Sequence, residues 1–153
     1  MHVAGSPTAP TRRLALAAAV ALVAMPFSRA SARDDALAAA IREQVGDAPV
    51  EEGGITIRAP AVAENGGQVP ILVLVDSPQT AAQHVTAIHV FATRNPTPGV
   101  ASFRLTPLLA RAEVQTRIRL AEEQRILVLA QMNDGTVRRA AAEIRVTTGG
   151  CLS

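Results

Sequence analysis

Apolar residues recur with two different periods along the chain. Within residues 36–45, Leu37, Ile41 and Val45 stand four apart, the spacing that lines one face of an α-helix. Asp34 and Asp35 precede them, where carboxylates cap free N–H groups and offset the helix dipole. Gly46 follows, suited to the left-handed residue that ends many helices. The pattern predicts a short helix packed on the rest of the domain.

From Gly54 the period shortens to two. Residues 55–57 read as a short strand, and residues 69–75 are a nearly continuous apolar run, as in a strand buried on both faces. Residues 84–93 alternate around Val85, Ile88, Val90 and Phe91, and residues 100–106 make another strand. In residues 112–120, Val114, Thr116, Ile118 and Leu120 face one way and Gln115, Arg117 and Arg119 the other. Residues 125–132 form a second buried run. Asn133-Asp134-Gly135 then make a tight hairpin turn, because these residues tolerate positive φ. Residues 136–147 return as the last strand. About seven short strands separated by Gly, Pro, Asn and Asp turns predict an antiparallel β-sandwich of immunoglobulin-like type. The buried Trp and paired Cys of antibody domains are missing, so the expectation concerns architecture alone. No internal repeat or long linker is visible.

Charge changes the picture only at the N-terminus. The fifteen basic residues are all arginines, and three of them, Arg12, Arg13 and Arg29, lie in the first 32 residues, which carry no acid. The remaining twelve face thirteen carboxylates, so the basic balance belongs to a leader and gives no support for nucleic-acid binding. Arg12-Arg13 followed by the apolar residues 14–25 and by Ala30-Ser31-Ala32 reads as a signal peptide cleaved before Arg33. The apolar run is shorter than the roughly 20 residues that span a bilayer. Paired arginines ahead of it match the twin-arginine export route, although the bulky pair that usually follows is shifted. The expected organisation is a signal peptide over 1–32, a helix and connection over 33–53, a sandwich over 54–147 and a C-terminal arm over 148–153. The expected location is the periplasm.

One cysteine in an exported chain calls for a reason, since disulfides there come in pairs. Cys151 follows Gly149 and Gly150, just beyond the last strand. Glycines leave the backbone free to bend, and termini lose order first. Cys151 can stand about 13 Å from the sandwich. A thiol on such an arm can enter a partner's active site while the domain stays outside. Its reactive form is the thiolate, which partner enzymes would have to generate.

Several segments together resemble the SoxY family. They are Gly54-Ile55-Thr56-Ile57-Arg58-Ala59-Pro60, the following residues 61–71 around Glu64-Asn65-Gly66-Gly67-Gln68, and Asn95-Pro96-Thr97-Pro98 with Phe103. Thr116-Arg117-Ile118-Arg119-Leu120-Ala121, Asp134-Gly135 and the terminal Gly149-Gly150-Cys151 complete the set, in the family's order. The resemblance implies a non-enzymatic carrier of sulfur intermediates in periplasmic thiosulfate oxidation. It implies Cys151 as the covalent attachment site, with Gly149 and Gly150 giving slenderness and reach. It also implies a SoxZ-like subunit as heterodimer partner, and a c-type cytochrome and a sulfate-releasing hydrolase as client enzymes. No cofactor and no metal are implied for this chain. The usual arm ends in two glycines after the cysteine, whereas Leu152-Ser153 stand here.

Other residues point to less. His84 and His89 lie five apart in a strand-like stretch, which would set them on opposite faces and read them as surface or packing residues. Arg117 and Arg119 suit either an acidic partner or plain solvent exposure. No nucleophile–base–acid set, P-loop or metal-ligand cluster is recognisable. Two alternatives to the carrier stay open. One is an exported thiol redox protein, which would want a second cysteine. The other is a structural sandwich with an incidental tail thiol.

Overall fold

A computed structural model describes residues 29–147, together with residues 1, 2 and 5. One helix, α1 (Arg29–Val45), precedes nine strands. These are β1 (Val50–Glu52), β2 (Ile55–Arg58), β3 (Val62–Ala63), β4 (Val69–Val75), β5 (Val85–Ala92), β6 (Gly99–Arg104), β7 (Ala112–Ile118), β8 (Gln124–Met132) and β9 (Val137–Val146). They form an immunoglobulin-like sandwich. One sheet has the order β1-β9-β8-β5-β6, with β3 added to β9, and the other has the order β2-β4-β7.

The seven expected strands are all present. The two others, β1 and β3, both pair parallel to β9, at its start (Val50 with Val137) and at its end (Val62 with Arg145). Their hold is backbone hydrogen bonding: β1 is fully exposed, and β3 buries only Ala63. After β1 the chain crosses to the other sheet through Gly53 and Gly54, at φ 95° and 69°. At Gly54 the positive φ itself disfavours a side chain, whereas the atoms nearest a Cβ there, 2.9 Å away, belong to the Arg138 side chain, which can swing aside. The predicted hairpin joins β8 to β9. Gly135 takes the positive φ of 89°, while Asn133 and Asp134 do not.

Two cores result. Between the sheets lie Val69, Ile71, Val73, Val75, Val85, Ile88, Val90, Ile126, Val128 and Ile144, among others. On the outer face of the larger sheet, Phe91, Leu129 and Val137 pack with Val45 and with Leu37, Ala40 and Ile41 of α1. Leu37, Ile41 and Val45 therefore form the predicted helix face. The helix itself begins at Arg29, so Asp34 and Asp35 lie inside it, and its first turn holds no acid. None of the described helices is long and apolar enough to cross a membrane.

Burial corrects the expectation for residues 69–75. Only one face of β4 is buried; Pro70 is exposed and Leu72 and Leu74 are half-buried on the other. Among the described residues no helix lies over the smaller sheet, whereas α1 covers the larger. Residues 125–132 behave as expected: Ile126, Val128 and Ala130 face the inter-sheet core, while Leu129 and Leu127 face α1.

Candidate functional site

The far end of β9 is held on its outer edge by β3. The Arg145 amide donates to the Ala61 carbonyl at 3.0 Å, and the Thr147 amide donates to the Ala63 carbonyl at 3.0 Å. Backbone pairing thus runs to Thr147, where the described residues end. The candidate attachment residue Cys151, the flanking Gly149 and Gly150, and Leu152-Ser153 lie outside them, as does the apolar part of the leader.

The segments around this end of β9 come from distant parts of the sequence. The turn after β3 is closed locally by Asn65, whose Oδ1 accepts the Gly67 amide at 2.8 Å. Its Gly66 carbonyl accepts the Leu120 amide at 2.8 Å. A Cβ on Gly66 would run into the Leu120 carbonyl oxygen and lie 2.9 Å from Val146 Cγ1. Three segments therefore meet where only hydrogen fits.

Asn95 fastens the neighbouring loop. Its Nδ2 donates to the Arg119 carbonyl at 2.8 Å, and its Oδ1 accepts from the Ala121 amide at 3.0 Å and from Gln124 Nε2 at 2.9 Å. Gln124 is 2 % exposed, and its Oε1 accepts the Arg94 amide at 2.8 Å. A buried amide of this kind is tolerated because its hydrogen-bonding groups are satisfied. Residues 64–68, Asn95 and residues 119–121, which carried the family resemblance, thus converge on one end of the sandwich and make it rigid. Gln124 belongs to the same network, and nothing in its polar surroundings singled it out in the sequence.

Charge near this end is exposed and mixed. Arg33 pairs with Glu122 at 3.0 Å and Arg125 with Glu143 at 2.7 Å, contacts that contribute little in solvent. Arg117, Arg119 and Arg145 have no carboxylate partner among the described residues. Arg117 and Gln115 point away from the core, as the alternation predicts.

The histidines fall differently from expectation. The register slips between Val85 and Ala87, a bulge that adds one residue. Val85 and Ile88 therefore enter the same core although three apart, and the odd spacing does not put His84 and His89 on opposite faces. Their partners keep them separate. His84 Nδ1 meets the Thr80 carbonyl at 3.0 Å. His89, 6 % exposed, joins Ser102 Oγ at 2.9 Å and Gln131 Oε1 at 3.2 Å, and Gln131 Nε2 donates to the Gln44 carbonyl at 3.1 Å. With the Gln131 amide nitrogen so engaged, its oxygen accepts from His89 Nε2–H, and Nδ1 accepts the Ser102 hydroxyl. The chain of bonds ties the end of α1 to the sheet. Among the described residues no three His, Cys, Asp or Glu side chains are grouped to hold a metal.

At the opposite end, the β8–β9 hairpin holds Asp134. Its carboxyl is lowered below its usual 3.8, first by the Thr136 amide and then by the Thr136 hydroxyl, bonds of 2.9 and 2.7 Å.

Comparison with known proteins points to one family. Residues 41–151 match the model of "Sulfur oxidation protein SoxY". The solved sulfur carrier protein SoxY from Chlorobium limicola f thiosulfatophilum is 36 % identical, with a TM-score of 0.63, and the match covers 74 % of this chain and 98 % of that one. A superoxide reductase (neelaredoxin) from Ignicoccus hospitalis shares the fold at 16 % identity and TM-score 0.57, over 64 % of this chain and 94 % of its own. A putative superoxide reductase from Thermotoga maritima does so at 20 % and 0.53, over 66 % and 88 %. No curated protein matches. The superoxide reductases are alike in fold alone, whereas the family model and the SoxY structure agree over nearly the whole sandwich. The chain belongs to the SoxY family.

Proposed function

We propose that this chain is a covalent carrier of sulfur intermediates in thiosulfate and sulfur oxidation, and not itself an enzyme. Family membership supports the carrier role, since the similar Chlorobium protein is a sulfur carrier. The observation that carries the reading is the rigid last strand, held to Thr147, in a chain whose next residues are Thr148-Gly149-Gly150-Cys151. Cys151 is the attachment site, and Gly149 and Gly150 let a thin arm enter client enzymes.

In the cycle this reading implies, the Cys151 thiolate and thiosulfate together lose two electrons to a c-type cytochrome, and a sulfur–sulfur bond forms. Water, directed by a hydrolase, then cleaves the terminal sulfonate as sulfate and leaves a persulfide on Cys151. The chain works in the periplasm as the partner of a SoxZ-like subunit, after export on its twin-arginine leader. Leu152, where the family's arm carries glycine, sets which client channels admit the tip.

Intact mass of protein purified from its native periplasm tests the reading. Sulfur, sulfonate or thiosulfonate adducts are expected, removable by reductant where the linkage is a disulfide or polysulfide. Cys151→Ser should abolish them and leave stability within about 0.5 kcal/mol, as for surface changes generally. Native protein without adducts under sulfur-oxidising conditions, or an unfolded Cys151→Ser variant, would refute the carrier mechanism.

A further inference from the structure

The chain has three asparagines, Asn65, Asn95 and Asn133, and the fold holds them differently. Asn95 precedes Pro96, whose nitrogen carries no proton. Its amide is engaged at both ends, by the Arg119 carbonyl and by the Ala121 amide and Gln124. Asn133 precedes Asp134. Its Oδ1 accepts the His84 amide and its Nδ2 donates to the Ala82 carbonyl, both at 3.0 Å. Asn65 precedes Gly66 and is exposed. Its Oδ1 accepts the Gly67 amide at 2.8 Å, while its Nδ2 has no hydrogen-bond partner among the described residues. The Gly66 N–H has none among them either. A free backbone nitrogen, with no Cβ beside it to shield it, thus follows a side-chain amide whose own nitrogen is free to leave. Ring closure between the two is intramolecular, which favours it strongly over the same reaction between separate molecules. The Gly67 N–H already points at the oxygen on which negative charge would develop.

We propose that Asn65 is a site of spontaneous deamidation, and that its isoaspartyl product loosens the end of the sandwich where β9 finishes. The Gly66 nitrogen attacks Asn65 Cγ and gives up its proton, and a nitrogen–carbon bond forms. The Cγ–Nδ2 bond breaks, and Nδ2 leaves as ammonia with that proton, which gives a cyclic imide. Water then opens the imide at either carbonyl. No electrons change hands, and water is the only co-reactant. Opening at Cγ gives aspartate, whose carboxylate still accepts the Gly67 amide. Opening at the backbone carbonyl gives isoaspartate, in which the main chain runs through Cβ and Cγ and is longer by one atom. That atom displaces Gly66 from a place where even a methyl group would collide with the Leu120 carbonyl oxygen and lie 2.9 Å from Val146 Cγ1. It also strains the 2.8 Å bond from the Leu120 amide to the Gly66 carbonyl. Asp134-Gly135 shares the following glycine, but its carboxyl has no amine to lose and is held by the Thr136 amide and hydroxyl. The chemistry belongs to the turn itself and stands whether or not Cys151 carries sulfur.

The experiment stores the full mature chain in buffer for weeks and follows each asparagine by peptide mass spectrometry. Labelling by an isoaspartyl methyltransferase distinguishes the two products. Conversion at Asn65 should outrun that at Asn133 by about ten-fold or more. Asn65→Gln, whose longer side chain must close a larger ring, should lose the reaction at this position. The isoaspartyl fraction, separated by chromatography, should exchange its Leu120 amide hydrogen about ten-fold faster than fresh protein. Asn65→Asp carries the same charge on an ordinary backbone and should exchange as fresh protein does. Conversion at Asn133 or Asn95 as fast as at Asn65 overturns the site. So does an Asn65 that stays intact in the folded chain, with the same chain in urea as the positive control for the assay. Isoaspartate at Asn65 with unchanged exchange at Leu120 overturns the loosening.

Discussion

Gly66→Ala is the sharpest test of how the root of the arm is built. The φ of Gly66 is not positive, so backbone strain is not the issue; space is. The added methyl would collide with the Leu120 carbonyl oxygen and press on Val146 Cγ1 at 2.9 Å. The first of these is backbone and cannot rotate away. Relief requires the turn and the β7–β8 connection to part, and that same parting stretches the Leu120 amide to Gly66 carbonyl bond of 2.8 Å. Overpacking of this kind costs about 1–3 kcal/mol, and loss of the hydrogen bond adds about 1 kcal/mol. The expected total of about 2–4 kcal/mol is a large part of the ~5–15 kcal/mol that holds a domain together. It corresponds to a fall in Tm on the order of 10 °C. The chain has no Trp and no Tyr, so the assay is urea unfolding followed by far-UV circular dichroism. Gly99→Ala is the control. It meets nothing within 4 Å and should be neutral or stabilising by up to about 1 kcal/mol through the unfolded chain. A Gly66→Ala protein within about 0.5 kcal/mol of wild type would show that the three segments are not locked as described.

Three further outcomes follow from the same packing. Phe91→Ala should cost about 3–5 kcal/mol and speed amide exchange in α1 more than in β4; a loss below about 1 kcal/mol would refute the second core. Asp134 stabilises the hairpin only when ionised, so its contribution is complete above pH 3.8 and is lost as the pH falls through its lowered folded value. Asp134→Asn should therefore flatten the acid limb of stability against pH, and parallel limbs would refute the assignment. Removing everything before Arg33 should leave Tm unchanged, because residues 30–36 are exposed and Leu37 is the first apolar contact of α1. Starting the chain after Leu37 should lower it.

Legibility in the sequence followed the number of residues that vote on each element. Strands β4, β7 and β8 have seven to nine residues each, enough for burial to impose its period. β1 and β3 have three and two and are fixed by backbone pairing with β9, which side-chain pattern cannot report. A continuous apolar run leaves open what covers its second face: in β8 that face meets α1, while in β4 no helix among the described residues covers it. A single extra residue at the β5 bulge was enough to undo the facing argument for the histidines. The candidate site was legible as motifs and not as geometry. Asn65, Gly66 and Asn95 stood out through resemblance, yet their convergence depends on hydrogen bonds spanning 24 to 29 residues, such as those from Asn95 to Arg119 and Gln124.

Why so much bonding should surround the exit of a short tail follows from chain statistics. On the carrier reading, Cys151 lies four residues beyond Thr147 and reaches about 13 Å from it. Each residue that frayed from β9 would lengthen the tether by about 3.3 Å. The volume searched by the thiol would grow and its effective concentration at a docked enzyme would fall. β3 buries almost nothing and adds little to the core, but it is the element that stops that fraying, because it holds Arg145 and Thr147 from the open edge of β9. Gly66, in the turn after β3, lies close against the Val146 side chain. Stability at this end therefore serves aim: a rigid origin makes a short arm sufficient, and a short arm keeps the thiol within the reach of an enzyme bound beside it.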